Sequence, residues 1–268
     1  MATAELDVVN RPAPRVLRRR SLYRDAARRF FLNLLSIIGL LIVAILLFVA
    51  IFADDWFLAP LLGRDPQPLI AHYGYDEAFI GPTGAFPSAD FWMGADLNGR
   101  DEWSRIVYGA RISLSIAIFS QLLALCIGLP MGALAGWHGG KVDFVIMRVV
   151  DIMSALPVLL LAFLLMLRLG ASYWNVLLAL SLTTWIEICR LTRGQFLTLR
   201  EKEFVEASRA VGSRTPRIVF GQILPNALAP LIVSVTLGVP RAIFAEAALS
   251  FLGVGINPPT PSWGQMIG

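Results

Sequence analysis

An all-α bundle that crosses a membrane several times is the fold class this sequence predicts, and three observations predict it. Hydrophobic residues fill 56 % of the 268 positions and charged residues only 16 %, against about 45–50 % and about 25 % in a soluble domain. Mean hydropathy is +0.66. Five stretches nearly free of charge recur along the chain, and each is long enough, or nearly so, for a hydrocarbon core of ~30 Å at 1.5 Å per helical residue. Helices are expected throughout, because backbone groups in lipid must be satisfied within the segment. A disordered or nucleic-acid-coating chain is excluded, since such chains are poor in apolar residues.

Residues 1–29 form a basic tail. Eight Arg (11, 15, 18, 19, 20, 24, 28 and 29) face Glu5, Asp7 and Asp25, a net +5, which leaves the rest of the chain at −1 of the total +4. Such a tail can bind nucleic acid or anionic lipid, but beside a membrane span it reads as a topogenic signal that stays in the cytoplasm. The first span, 30–52, holds no charge over 23 positions. It is too long for a signal-peptide core and lacks a small-residue cleavage site after it.

Residues 53–111 follow as an extracytoplasmic segment with nine acidic residues and four Arg (64, 100, 105 and 111). Its 54–90 part is Pro-rich and loop-like, open to contact with a binding protein or to no defined role. Trp92, Trp103 and Tyr108 suit the membrane interface. The second span is expected over 112–136 and the third over 144–167, kinked by Pro157. The fourth is expected over 173–189 and the fifth over 227–253, with Pro230 and Pro240 inside. The segment between the fourth and fifth carries Arg190, Arg193, Arg200, Lys202, Arg209, Arg214 and Arg217, which places it in the cytoplasm independently of the tail. Cys126 and Cys189 lie in apolar stretches, and His72 and His138 are isolated, so no metal pattern is formed.

The cytoplasmic segment, residues 200–226, is the most informative part of the chain. Glu203 to Val211 has helical character, with Phe204, Ala207, Ser208 and Val211 at i, i+3, i+4 and i+7 on one small-to-apolar face. Gly212 can take φ > 0 and end that helix; Thr215 and Pro216 then read as N-cap and first position of a second short helix. The product is a knob too small for its own core. From these residues alone, a knob inserted into a partner and a connecting loop on the membrane surface both stand.

Glu206-Ala207-Ser208-x-x-x-Gly212, with Ile223-Leu224-Pro225 following, resembles the EAA motif of ABC importer permeases. Ser208 replaces the second Ala, and Gln222 stands where the motif has Ile, with Ile223 beside it. Three further stretches resemble the same family. Gly94-Ala95-Asp96 to Ser113-Leu114 is similar to the entry to its second helix, with Ala95 where Thr is usual. Gly136 to Asp143 with Met147, Arg148, Asp151 and Pro157 is similar to the turn into its third. Glu246 to Gly255, then Pro258 to Gly264, is similar to the exit from its fifth.

The resemblance covers roughly residues 15–268 and points to the C-type permease of a dipeptide, oligopeptide or nickel importer, with a sixth helix after the Trp263-Gly264 segment apparently missing. It implies the type I permease fold, a multi-pass place in a bacterial or archaeal cell membrane, and these partners: a second (B-type) permease, two ATPase subunits and an extracytoplasmic substrate-binding protein. It implies that Glu206, Ala207, Ser208, Gly212, Leu224 and Pro225 form the ATPase-coupling element. ATP and Mg would bind the partner ATPases, with no cofactor on this chain.

Ionisable residues inside spans are functional candidates by default. Arg148 and Asp151, three apart, can pair as a structural ion pair, and so can Glu187 and Arg190. Arg241 and Glu246 are five apart and do not share a face well. Arg241 sits near mid-membrane beside Pro240, where facing lipid costs at least ~2.5–3.5 kcal/mol, so it is expected to line the passage or to bridge to the partner permease. Glu246 is its fellow path candidate. No phosphate-cradling GxxxxGK[ST] loop occurs, so ATP hydrolysis belongs to other subunits and the chain is not expected to be an enzyme. The competing class is an ion-gradient-driven secondary transporter, which needs titratable Asp151, Glu187 or Glu246; glutathione or nickel stand as alternative cargoes.

Overall fold

The computed structural model describes residues 22–267, whose regular elements are helices, with no β-strand among them. The first 21 residues of the basic tail lie outside that range. By internal contacts the chain divides into one unit ending at Ile45 and a second beginning at Leu46.

Helix α1, Leu22–Leu32, and helix α2, Leu34–Ile51, meet at Asn33, whose side-chain oxygen accepts from the Leu35 N–H at 3.0 Å. That cap begins α2 four residues later than position 30. Its apolar side chains point all round and only Ala50 is buried, the pattern of a helix whose solvent is lipid.

Residues 53–101 are irregular apart from α3, Ala59–Leu62, yet they pack. Ala53, Ala71, Val107 and Tyr108 form a small core. Trp103 donates its indole N–H to the Ile70 carbonyl at 3.1 Å, and Trp92 stands edge-on to His72 at 4.3 Å between ring centres. Trp103 and Tyr108 are therefore built into this segment rather than set out as interface anchors. The four Arg of residues 53–111 are neutralised locally: Arg64 pairs with Asp55, Arg100 and Arg105 with Asp96, and Arg111 with Asp54.

Helix α4, Glu102–His138, starts ten residues before position 112. The Asp101 carboxylate accepts from the Ser104 N–H at 2.9 Å and so caps it with a side chain. Next come α5, Gly140–Ser154, and α6, Val158–Leu169, whose axes differ by 82°. Pro157 was expected to kink one helix; instead it precedes a new one, with φ −56° and ψ 131°. With no N–H and an extended ψ, it cannot continue α5, and the chain turns a corner.

Helix α7, Tyr173–Arg200, packs along α4 in the most extensive helix pair of the fold. Gly128, Gly132 and Gly136 line that seam: a Cβ on Gly128 would stand 2.6 Å from the Trp185 carbonyl oxygen, and one on Gly136 2.6 Å from the Phe196 Cβ. Small residues four apart let two helix backbones approach closely in lipid.

Among the described residues, three helical runs are long and apolar enough to cross a membrane: Leu34–Ile51, Glu102–His138 and Thr215–Phe251, with a fourth if the bent α5–α6 pair is one span. Helix α7 has the length, but its second half carries Glu187, Arg190 and Arg193. Flanked by α4, α6 and α10 (Leu224–Phe251), it buries much of its surface against protein, and these charged groups pair with residues of other helices.

Beyond α7 come α8, Glu203–Ala210, and α9, Thr215–Ile218, then a π-turn, Val219–Ile223, leading into α10. The last element is α11, Trp263–Ile267. Two apolar clusters fill the bundle. One joins Val150, Trp185, Phe196, Val205, Ile223 and Leu231; the other joins Ile116, Met166, Val176, Leu180 and Leu249.

Candidate functional site

The 200–226 segment is a hook anchored by three buried side chains, Val205 of α8 and Ile218 and Ile223 beyond it. Val205 is fully buried against the bundle. Glu206, Ala207 and Val211 are exposed, Phe204 is 40 % exposed, and Ser208 is half-buried. The face predicted from the i, i+3, i+4, i+7 spacing is therefore open along most of its length. At the end of α8, Gly212 lies at φ +77°. Its N–H bonds the Arg209 carbonyl at 2.9 Å, and the Ser213 N–H bonds the Ser208 carbonyl at 3.0 Å. These two bonds are those of a Schellman termination, which needs a left-handed residue at this position.

The second short helix is not separate. Arg214, not Thr215, is the N-cap, and Pro216 lies within the first turn. From Thr215 the chain stays helical through the π-turn to Phe251. Pro225 explains the π-turn: it offers no N–H and its ring crowds the carbonyl four residues back. Just before it, the Leu224 N–H reaches back five residues to the Val219 carbonyl. Leu224 is half-buried and Pro225 exposed. Across the turn, Gln222 Nε2 donates to Ser208 Oγ at 2.6 Å, and Ser208 Oγ donates to the Phe204 carbonyl at 2.9 Å.

Polar contacts fix the base of the hook to the bundle. Arg200 donates to the Gly136 carbonyl at 3.0 Å, Arg193 makes a two-pronged pair with Asp143, and Arg209 lies over the Trp137 ring at 5.1 Å.

A cavity of about 420 Å³ opens among α4, α6, α7 and α10, lined among others by Gln121, Thr183, Glu187, Arg190 and Arg241. Here the ion-pair expectations need correcting. Arg148 does not pair with Asp151; it lies over the Phe144 ring at 5.1 Å. Glu187 does not pair with Arg190. Asp151 pairs with Arg190 at 2.9 Å, and Glu187 with Arg241 at 3.0 Å. Residues three apart on α7 thus reach in different directions, each to another helix. Arg241 has a partner within its own chain.

Glu246 lies apart from the cavity. It is fully buried and hydrogen-bonded by Ser262 at 2.7 Å, Ser250 at 2.8 Å and Ser113 at 3.3 Å. Ser113 Oγ in turn accepts from the Trp263 N–H at 3.1 Å. Glu246 therefore clasps the chain after α10 to α4 and does not line the cavity that Arg241 lines.

Two carboxyls of the 53–101 segment have perturbed acidities. The Gln67 N–H, then the Arg64 guanidinium, hold Asp55 below the usual carboxylate range. Burial pushes Asp96 the other way, but N–H groups of Arg100 and Asn98 and the Arg100 guanidinium outweigh it, and its pKa is also lowered.

Comparison with known proteins places this architecture. Residues 128–268 match the family model described as binding-protein-dependent transport system inner membrane component, and residues 21–83 match the N-terminal TM domain of oligopeptide transport permease C. The chain is 39 % identical over 246 residues to the oligopeptide transport system permease protein OppC of Bacillus subtilis (strain 168), covering 92 % of this chain and 76 % of that protein. It is 40 % identical to the dipeptide transport system permease protein DppC of Alkalihalophilus pseudofirmus, covering 91 % and 76 %. It is 34 % identical to the glutathione transport system permease protein GsiD of Pectobacterium atrosepticum, covering 92 % and 78 %.

Among solved structures, an inward-facing form of the MetNI methionine ABC transporter matches with a TM-score of 0.53 at 22 % identity, over 60 % of this chain and 77 % of that one; this likeness speaks for the fold. The chain belongs to the binding-protein-dependent transport system inner membrane component family, as a multi-pass permease subunit of an ABC importer.

Proposed function

We propose that this permease forms half of a passage for di- or oligopeptides and is driven by two separate ATPase subunits gripping residues 200–226 from the cytoplasm. A second permease of the B type would form the other half, and a binding protein would deliver peptide at the face carrying residues 53–111. The N-terminal tail would lie in the cytoplasm. The peptide and glutathione relatives share one cargo chemistry, a short chain of amide-linked amino acids.

The observation that supports this reading most is mechanical. An exposed hook, α8, is tied to a helical run of 37 residues, Thr215–Phe251, about 55 Å long. That run carries Arg241 to the cavity, where it meets Glu187 of α7. Closure of ATPases around Glu206 and Ala207 would push on Gly212 and the π-turn and shift α10 against α7. Binding energy spent at one end then biases two arrangements of the passage at the other. A gradient-driven carrier finds less support. Asp151, Glu187 and Glu246, the acids it would titrate, are held by Arg190, Arg241 and three serine hydroxyls respectively.

The test is peptide uptake by the assembled importer in proteoliposomes. Uptake should require ATP inside the cytoplasmic face and no ion gradient, and Glu206→Lys should reduce recovery of the ATPases with the permeases. Uptake driven by a gradient without ATP would refute the proposal.

A further inference from the structure

The cavity wall carries charges in alternating order. Arg241 of α10, Glu187 and Arg190 of α7, and Asp151 of α5 form two ion pairs, and three of the four charged groups line the cavity itself. Both members of the Glu187–Arg241 pair are more than half exposed, at 57 % and 64 %. Surface ion pairs contribute little to stability. A membrane passage is a costly place to keep two charges for that alone.

We infer that the Glu187–Arg241 pair is an exchangeable subsite for the two charged ends of a zwitterionic peptide, its ammonium group going to Glu187 and its carboxylate to Arg241. This rests on the peptide reading above. In the empty passage the two side chains neutralise each other. A short peptide with free termini replaces one ion pair by two, so that no charge inside the cavity is left uncompensated. An ion of a single sign cannot do this: it takes one side chain and leaves the other without its partner.

While paired, Glu187 and Arg241 stand 3.0 Å apart; the two side chains, on different helices, part to about the 7 Å that two extended residues span when the peptide's termini come between them. The cavity volume of about 420 Å³ falls among small-ligand sites, and Gln121 and Thr183 offer hydrogen-bonding groups to the amide between the ends. Because one salt bridge is given up as two form, net affinity is small, which suits a site that must release its cargo.

The experiment measures ATP-driven uptake of radiolabelled di- and trialanine by the complete importer with its binding protein in proteoliposomes. Absence of ATP-driven uptake in the wild type would overturn the peptide reading itself. With the wild type active, Glu187→Gln, Arg241→Gln and the double variant should each reduce uptake at least tenfold, while co-purification of the partner subunits reports assembly. In the double variant two amides can still bond across α7 and α10, so wild-type uptake there would overturn the subsite. Should the double variant not assemble, Glu187→Asp decides. It keeps the charge on a shorter arm, and the subsite requires uptake at saturating loaded binding protein to fall at least threefold with ATP hydrolysis within twofold of wild type. Unchanged uptake would overturn it.

Discussion

Ser208 and Gln222, the two positions at which the hook departs from the EAA pattern, are bonded to each other: Gln222 Nε2 reaches Ser208 Oγ at 2.6 Å. One departure accommodates the other, since an Ile at 222 would leave the Ser208 hydroxyl only its own helix to bond. The contact closes α8 onto the π-turn. A partly exposed neutral hydrogen bond contributes about 1 kcal/mol. Gln222→Leu should therefore speed amide exchange in α8 about fivefold, and Ser208→Ala with Gln222→Leu should do no more than either alone. Additive effects in this double-mutant cycle would show that the bond does not hold the hook.

Gly212 ends α8 at φ +77° with open space where a Cβ would stand, so only backbone strain opposes a side chain there. A β-branched residue is the least tolerant of that region. Gly212→Val should abolish ATP-coupled uptake, with membrane insertion and recovery of the permease pair retained. Normal uptake by this variant would separate the turn from coupling.

Along the α4–α7 seam the constraint is steric. A methyl group on Gly128 would stand 2.6 Å from the Trp185 carbonyl oxygen and 2.9 Å from the Ile188 Cβ, and neither is the free end of a flexible side chain. Gly128→Ala should cost about 1–3 kcal/mol, seen as a lower midpoint of thermal unfolding in detergent. Gly194→Ala on α7, where nothing stands within 4 Å, is the control and should not lower it. Equal midpoints for the two variants would remove the close-packing account.

What the sequence disclosed depended on how local the cause was. Gly212 as a helix terminator and the extent of α8 are matters of adjacent residues, and periodicity with a glycine sufficed to find them. The ion pairs were not local. Arg148 with Asp151 and Glu187 with Arg190 satisfied helical spacing, but the partners chosen lie 39 and 54 residues away, and no pattern within one helix reveals them. Pro157 was visible as a break but not as a corner, because the 82° turn depends on α6 packing against α7. Glu246 was misplaced for the same reason: Ser113 and Ser262, 133 and 16 residues distant, decide its environment. The seam was legible and overlooked, for Gly128, Gly132 and Gly136 stand four apart in the sequence.

The 53–101 segment should be labile to acid. Asp55 and Asp96 have depressed values in the folded chain, so they take up protons more readily when the segment opens. Their contribution to stability is complete above the ordinary carboxylate value of 3.8 and is lost as pH falls through the depressed folded values. Amide exchange in residues 53–101, corrected for its intrinsic pH dependence, should be constant from neutrality to about pH 5 and rise below about pH 4. Arg64→Gln should shrink that rise, because it returns the folded value of Asp55 toward the ordinary one. A segment whose protection is the same at about pH 3 and at neutrality would contradict the assignment.

The most direct measurement of the central claim, an exposed hook gripped from the cytoplasm by an ATPase, places one cysteine at Ala207 in a background lacking Cys126 and Cys189. A membrane-impermeant maleimide should label Ala207→Cys in inside-out vesicles and not in right-side-out ones. In the assembled importer a short bifunctional reagent should join it to an ATPase subunit, with a yield that changes on ATP binding. Labelling from the outer face, or an assembled importer in which this position never crosslinks to an ATPase, would contradict the account.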